Sequence, residues 1–200
     1  MDSLFKNTPE HLNLKGGDVT YYPSLFSTEE ASRYFDVLFE ETPWQQDDIK
    51  VFGKVYAQPR LTALYGNNGK PYSYSNITMY PHEYTFALSE IKNHVEKIAQ
   101  VTFTTCLLNL YRNGKDSNGW HSDDEKELGL NPVIASVSFG VERVFKLREK
   151  ENKKNTLKIT LGSGSLLLMK GATQHNWQHQ IPKTTREINP RINLTFRIIT

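Results

Sequence analysis

A single cysteine, Cys106, among 200 residues excludes an internal disulfide, and its place in the apolar run from Thr105 to Leu110 predicts a buried, reduced thiol without a catalytic part. Nothing approaches the ~20 consecutive apolar residues of a membrane span. Residues 1–11 lack the apolar run of a signal peptide. A soluble, intracellular protein with no membrane partner is therefore expected, in the cytoplasm or, in a eukaryote, the nucleus. Repeats and composition-shifted linkers are also missing, so 1–200 is expected to form one domain; a monomer is expected. Charge of one sign is scarce: a formal net charge of +2 permits a polyanionic partner without establishing one, since basicity matters where it is clustered.

What is present is ample apolar content, 38% of residues against 23% charged, enough for a sizeable core. Ser27 with Glu30 makes a capping box, and Ala31, Tyr34, Phe35, Leu38 and Phe39 recur at helical spacing until Pro43. Pro81 precedes a second helical pattern, Tyr84, Leu88, Ile91, Val95 and Ile98. From Thr105 onward the pattern changes to short apolar or alternating runs at 105–111, 133–139, 143–149, 156–161, 165–169, 175–180 and 191–199. Helices followed by such strands predict an α+β domain: a double-sheet jelly roll over 105–200, buttressed by the N-terminal helices.

In the last strand Arg191, Asn193, Thr195 and Arg197 share one face, and Ile192, Leu194, Phe196 and Ile198 the other. A polar face carrying two arginines suits a pocket for a dicarboxylate between the sheets. Asn109 and Tyr111 likewise project together, away from Cys106, Leu108 and Leu110, and offer hydrogen bonds to the same pocket.

His121 and Asp123 lie two apart after Asn118-Gly119-Trp120, so an extended segment can aim both at one ion. Two imidazoles and one carboxylate leave three adjacent octahedral positions on Fe(II) open, as binding a bidentate 2-oxo acid and then dioxygen requires. His175 and His179 compete to complete the set. They lie ~13 Å apart in an extended strand at ~3.3 Å per residue, so one ion takes one of them. His179 is preferred, because Ile181-Pro182 and the arginine strand follow it at a distance that returns the chain once. Arg191 then supplies a fixed cation for the far carboxylate of 2-oxoglutarate.

These residues resemble the AlkB-type Fe(II)/2-oxoglutarate-dependent nucleic-acid demethylases, from about Tyr21 to Thr200 and most densely from Asn109 to Arg197. Asn109-Leu110-Tyr111 is similar to the family's co-substrate motif and Trp120-His121-Ser122-Asp123 to its metal motif. Arg191-Ile192-Asn193-Leu194-Thr195-Phe196-Arg197 is similar to its closing signature. The resemblance implies Fe(II), with 2-oxoglutarate and O2 as co-substrates, and makes His121, Asp123 and His179 catalytic metal ligands. It pairs Arg191 with the distal carboxylate and sets Arg197, Asn193, Asn109 and Tyr111 on the remaining oxygens. The implied activity is oxidative demethylation of 1-methyladenine or 3-methylcytosine in DNA, with release of formaldehyde and direct reversal of damage.

The same resemblance bears on substrate. Glu125 would contact the exocyclic amine of the flipped base, while Asp124 either favours the cationic lesion or belongs to an exposed acidic run. Residues 45–80 would form a nucleotide-recognition lid. Within it, Tyr72 and Tyr74 resemble the lesion-stacking segment of the duplex-DNA-specific animal homologue of AlkB, the alternative being core tyrosines. Val51-Phe52-Gly53-Lys54, followed by Gln58-Pro59-Arg60, resembles that homologue's duplex-entering finger, with Phe52 as wedge and Arg60 at the substrate. Otherwise Phe52 begins a buried strand. The excess basic charge is placed in 146–158, with Lys153 and Lys154 between strands. Methylated DNA, duplex favoured, is thus the expected partner. An RNA or single-strand demethylase, a protein or small-molecule hydroxylase, and a metal-binding jelly roll without turnover are the alternatives.

Overall fold

A strand with one apolar and one polar face must find a different neighbour on each side, and two layers of neighbours are what the fold provides. The computed structural model describes residues 8–51, 54–74 and 77–199, with the backbone alone at 49–51, 72–74 and 77. The elements in order are β1 (Glu10–Leu12), β2 (Asp18–Tyr22), α1 (Thr28–Glu41), β3 (Asp48–Val51), β4 (Lys54–Ala57), β5 (Leu61–Gly66), β6 (Tyr72–Tyr74), β7 (Ile77–Met79), α2 (Phe86–Ala99), β8 (Thr105–Tyr111), β9 (Asn118–His121), a 3-10 turn (Lys126–Leu128), β10 (Ile134–Gly140), β11 (Arg143–Glu149), β12 (Thr156–Leu161), β13 (Ser165–Lys170), α3 (Thr173–Asn176), β14 (Trp177–Ile181) and β15 (Arg191–Arg197).

The major sheet runs β1-β2-β13-β10-β15-β8-β5 and the minor sheet β12-β11-β14-β9. The two face each other as a jelly roll. β15 is central, with Arg191 opposite Tyr111 and Asn193 opposite Asn109 on β8, and Thr195 opposite Ser136 on β10. Its apolar residues Ile192, Leu194 and Phe196 join Cys106, Leu108 and Leu110 in a core closed from outside by Tyr34 and Leu38 of α1 and Leu88, Ile91 and Val95 of α2. Leu107, Tyr111, Met169, Phe145, Leu147 and Trp177 form a second core between the sheets. Small hairpins β3-β4 and β6-β7 stand apart from both sheets.

The Ser27 capping box forms as expected: Ser27 N donates to Glu30 Oε2 at 2.9 Å and Glu30 N to Ser27 Oγ at 3.2 Å. Such a cap is worth about 1 kcal/mol. The second helix starts at Phe86, later than the apolar spacing implies, because the Thr85 side chain accepts from Leu88 N and sets the start there. At Gly140, φ is +85°, and a Cβ would lie 2.5 Å from Pro190 O, so the tight end of β10 needs glycine.

All of the expected strands are present, with two corrections. The run 175–180 is not strand throughout, since residues 173–176 form a helical turn and β14 begins at Trp177. Thr173 causes this: its hydroxyl donates to Lys170 O at 2.5 Å and accepts from Asp18 N at 2.8 Å, winding the chain before the strand begins. The major sheet also recruits β1, β2 and β5 from the N-terminal half, beyond the helices and the 45–80 lid that the sequence leads one to expect there. Among the described residues, no helix is long and apolar enough to cross a membrane.

Candidate active site

His121, the last residue of β9, lies directly opposite His179 on β14, so one cross-strand pair sets both imidazoles on the inner face of the minor sheet. Their ring centroids are 4.2 Å apart. Asp123 follows two residues on, with Oδ2 3.8 Å from His179 Nε2. One ligand atom from each of the three falls within 4.8 Å of the others, with Asp123 and His179 buried. His175 sits on α3, exposed, its Nε2 accepting from Asn131 N at 3.4 Å, and takes no part in the cluster.

Electrostatics suits the cluster to a metal ion. Burial, reinforced by His121 and opposed by Asp123, lowers His179 to about 3, and burial lowers His121 too, so both imidazoles keep a lone pair at neutral pH. His121 Nδ1 lies 2.7 Å from Gly119 O, which makes that nitrogen the donor and Nε2 the acceptor, 3.2 Å from Asn118 Nδ2. Phe145 stacks on His179 at 5.2 Å and holds the second ring. Burial alone would raise the Asp123 carboxyl, yet the Arg197 guanidinium, His179 and His121 draw it down to about 2. Arg197 Nη2 donates to Asp123 Oδ1 at 2.6 Å.

The cluster opens into a cavity of about 430 Å³ between the sheets, lined from β8 and β15 by Asn109, Tyr111, Arg191, Asn193, Thr195 and Arg197. Arg191 is 1% exposed. Its Nη2 donates to Ser138 Oγ at 2.9 Å and the Tyr111 ring lies 5.2 Å away, while Nε and Nη1 meet no hydrogen-bond partner among the described residues. Burial, opposed by Tyr111, lowers this guanidinium to about 10, so it stays charged. A buried cation with unmet donors in a cavity calls for a carboxylate, and this fits 2-oxoglutarate. A two-imidazole, one-carboxylate cluster in the same cavity fits Fe(II).

Three residues expected on the co-substrate, Asn193, Arg197 and Asn109, are already engaged within the protein. The Asn193 amide donates to Ser136 Oγ and Val137 O and accepts from Thr195 Oγ1, so Asn193 shapes the wall through its neighbours. Arg197 holds Asp123. Arg60, between β4 and β5, lines the cavity, and its Nε donates to Asn109 Oδ1 of β8 at 2.7 Å. Glu125 lines the cavity. Asp124 is exposed and paired with Lys150 at 2.8 Å, away from the cavity. Phe52 lies outside the described residues; Tyr72 and Tyr74 are described as the backbone of β6, and their side chains lie outside.

Sequence reasoning missed Ser136, Ser138 and Gln174. The serines alternate within an otherwise apolar run and face the polar side of β15, so treating 134–140 like the last strand would have found them. Gln174 accepts from Asp123 N across a long separation that no local pattern encodes.

The family model of the 2OG-Fe(II) oxygenase superfamily matches residues 18–197. The chain is 45% identical over 195 residues to the human "Alpha-ketoglutarate-dependent dioxygenase alkB homolog 3", covering 90% of this chain and 66% of that protein. The cattle counterpart is 44% identical and is covered over 64% of its length, so the chain spans just under two thirds of these relatives. It is 36% identical to human "DNA oxidative demethylase ALKBH2", covering 94% of this chain and 76% of the relative. The solved structure of OsALKBH1 superposes with a TM-score of 0.64 at 15% identity, over 94% of this chain and 100% of that one, which supports the jelly-roll fold. A cavity combining two imidazoles, a carboxylate and an unmet buried guanidinium agrees with these matches, and the chain belongs to the 2OG-Fe(II) oxygenase superfamily, among its AlkB-type members.

Proposed function

We propose that this chain is an Fe(II)/2-oxoglutarate-dependent dioxygenase that removes N-methyl groups from 1-methyladenine and 3-methylcytosine in DNA, with duplex preferred. The observation that carries the chemistry is the shared cavity, in which Arg191 offers unmet donors beside the His121, Asp123 and His179 cluster. Support for the polymer comes from the relative named as a DNA oxidative demethylase. When bound, Fe(II) with 2-oxoglutarate and O2 supplies the oxidation that hydroxylates the methyl carbon, after which the hemiaminal loses formaldehyde and the base is restored.

The chain's own residues bind and orient. His121, Asp123 and His179 hold the metal, and the Arg191 fork, braced by Ser138, grips the distal carboxylate. Leu107, Phe145, Met169 and Ile181 give the cavity apolar walls that exclude water. Glu125 in the cavity wall accepts from the exocyclic amine of a flipped base. The reading treats 1–200 as one catalytic domain acting as an intracellular monomer, with 45–80 as the recognition lid and the Phe52 segment favouring duplex. Formaldehyde release from 1-methyladenine oligonucleotides, paired and single-stranded, with and without 2-oxoglutarate, tests it. Release that requires 2-oxoglutarate and is faster on duplex is expected. No release from either would refute the demethylase reading, and faster release from single strands would refute the duplex preference alone.

A further inference from the structure

We infer that Gln174 is a positioning residue for the metal-binding carboxylate, holding the Asp123 backbone from α3. The inference rests on the reading of His121, Asp123 and His179 as ligands. β9 ends at His121, so the buried Asp123 has no ladder partner for its N–H, and a buried N–H needs an acceptor. Gln174 Oε1 supplies one at 3.0 Å, from a residue only 1% exposed. The other end of the amide donates to Met169 Sδ at 3.5 Å, which keeps the oxygen turned to Asp123. α3 is itself anchored, since Thr173 Oγ1 accepts from Asp18 N and donates to Lys170 O.

The consequence is geometric. The cluster draws its residues from two chain segments, 121–123 and the strand carrying His179, and its spread is set by how these are tied together. Ser122 Oγ donates to Trp177 O at 3.2 Å, and Gln174 grips the next residue. Arg197 orients the Asp123 carboxylate but leaves its backbone unheld. Gln174 therefore fixes where the carboxylate starts, and Arg197 where it points.

Equilibrium Mn(II) binding to the full chain, read by electron paramagnetic resonance of the free ion, tests this without turnover. Gln174→Met keeps the shape and removes the acceptor, and about 10–100-fold weaker Mn(II) binding is expected. Gln174→Glu keeps Oε1 and is expected to recover most of the affinity. Should Gln174→Met fold poorly, Gln174→Asn, one methylene short of Asp123, carries the same expectation. Asp123→Ala separates the two levels of failure. If it loses Mn(II) while Gln174→Met stays within about twofold of the parent, or Met and Glu variants bind equally, the positioning role is overturned and the ligand reading stands. If Asp123→Ala itself retains Mn(II), the ligand reading fails and the inference with it. A lowered melting temperature with unchanged affinity would mark Gln174 as structural only.

Discussion

Arg197 Nη2 lies 2.6 Å from Asp123 Oδ1, joining the end of the last strand to the residue two after His121, with both side chains at most 7% exposed. A buried charge left without its partner is costly, typically about 3–5 kcal/mol. Arg197→Met should lower stability by that order and weaken Mn(II) binding, because Asp123 loses the group that orients it. Urea unfolding alongside Mn(II) titration checks this. Full metal affinity in a destabilised variant would show that Arg197 serves the fold alone.

His121→Ala, Asp123→Ala and His179→Ala should each abolish turnover and metal binding, since each removes one of three protein ligands. His175→Ala should keep both, because His175 is exposed on α3. Metal content after reconstitution, measured for all four variants, decides. Loss in His175→Ala with retention in His179→Ala would invert the assignment.

The legibility of the fold followed the length of each pattern. The second half was readable because β8, β10, β11 and β15 are each seven residues long, enough for alternation to show. β1 has three residues and β2 five, little room for a periodic pattern, and their place in the sheet comes from pairing, β2 with the distant β13 and β1 with β2. The site was legible where one element carries several functional groups, as β15 does. It was not where a group is engaged by a distant neighbour: nothing local to Asn193 says that Ser136 and Val137 accept from its amide. Spacing favours His179 over His175, whereas the physical separation arises in the turn at 173–176, held by Thr173, which carries His175 out of the strand.

Arg191→Lys should raise the 2-oxoglutarate requirement at least tenfold, because an ammonium cannot offer the planar pair of donors that a carboxylate accepts. Ser138→Ala should act in the same direction and more weakly, since it frees the guanidinium to swing without removing it. Titrating 2-oxoglutarate against both variants checks the order. An unchanged dependence in Arg191→Lys would remove Arg191 from the co-substrate pocket.

Asp116 closes the turn between β8 and β9, accepting from Arg112 N at 2.9 Å and from its guanidinium at 2.8 and 3.0 Å. Burial would raise this carboxyl, but the Arg112 hydrogen bonds and charge, with Arg143, hold it below its usual value of 3.8. A folded-state value below the unfolded one means that the contribution is present above the unfolded value and is lost as pH falls through the folded one. Asp116→Asn should therefore be less stable than the parent at neutral pH, with the gap shrinking below about pH 4. Urea unfolding at several pH values reads the gap, and a gap constant into acid would show that charge plays no part.

A variant at Phe52 tests the proposed duplex preference. Extracting a paired base costs a few kcal/mol of stacking and pairing, and a ring inserted into the vacated space recovers part of it. A single strand leaves no such space to fill. Phe52→Ala should therefore lower activity on methylated duplexes about tenfold more than on matching single strands, the equivalent of ~1.4 kcal/mol. Melting temperature and uncoupled 2-oxoglutarate turnover should stay near the parent's, since a finger bears on neither the core nor the metal. A core phenylalanine makes the opposite forecast: truncation would cost about 3–5 kcal/mol of stability and depress both activities together. Melting temperature measured beside both activities distinguishes them. A parallel loss with destabilisation would place Phe52 in the core and leave the duplex preference without its carrier.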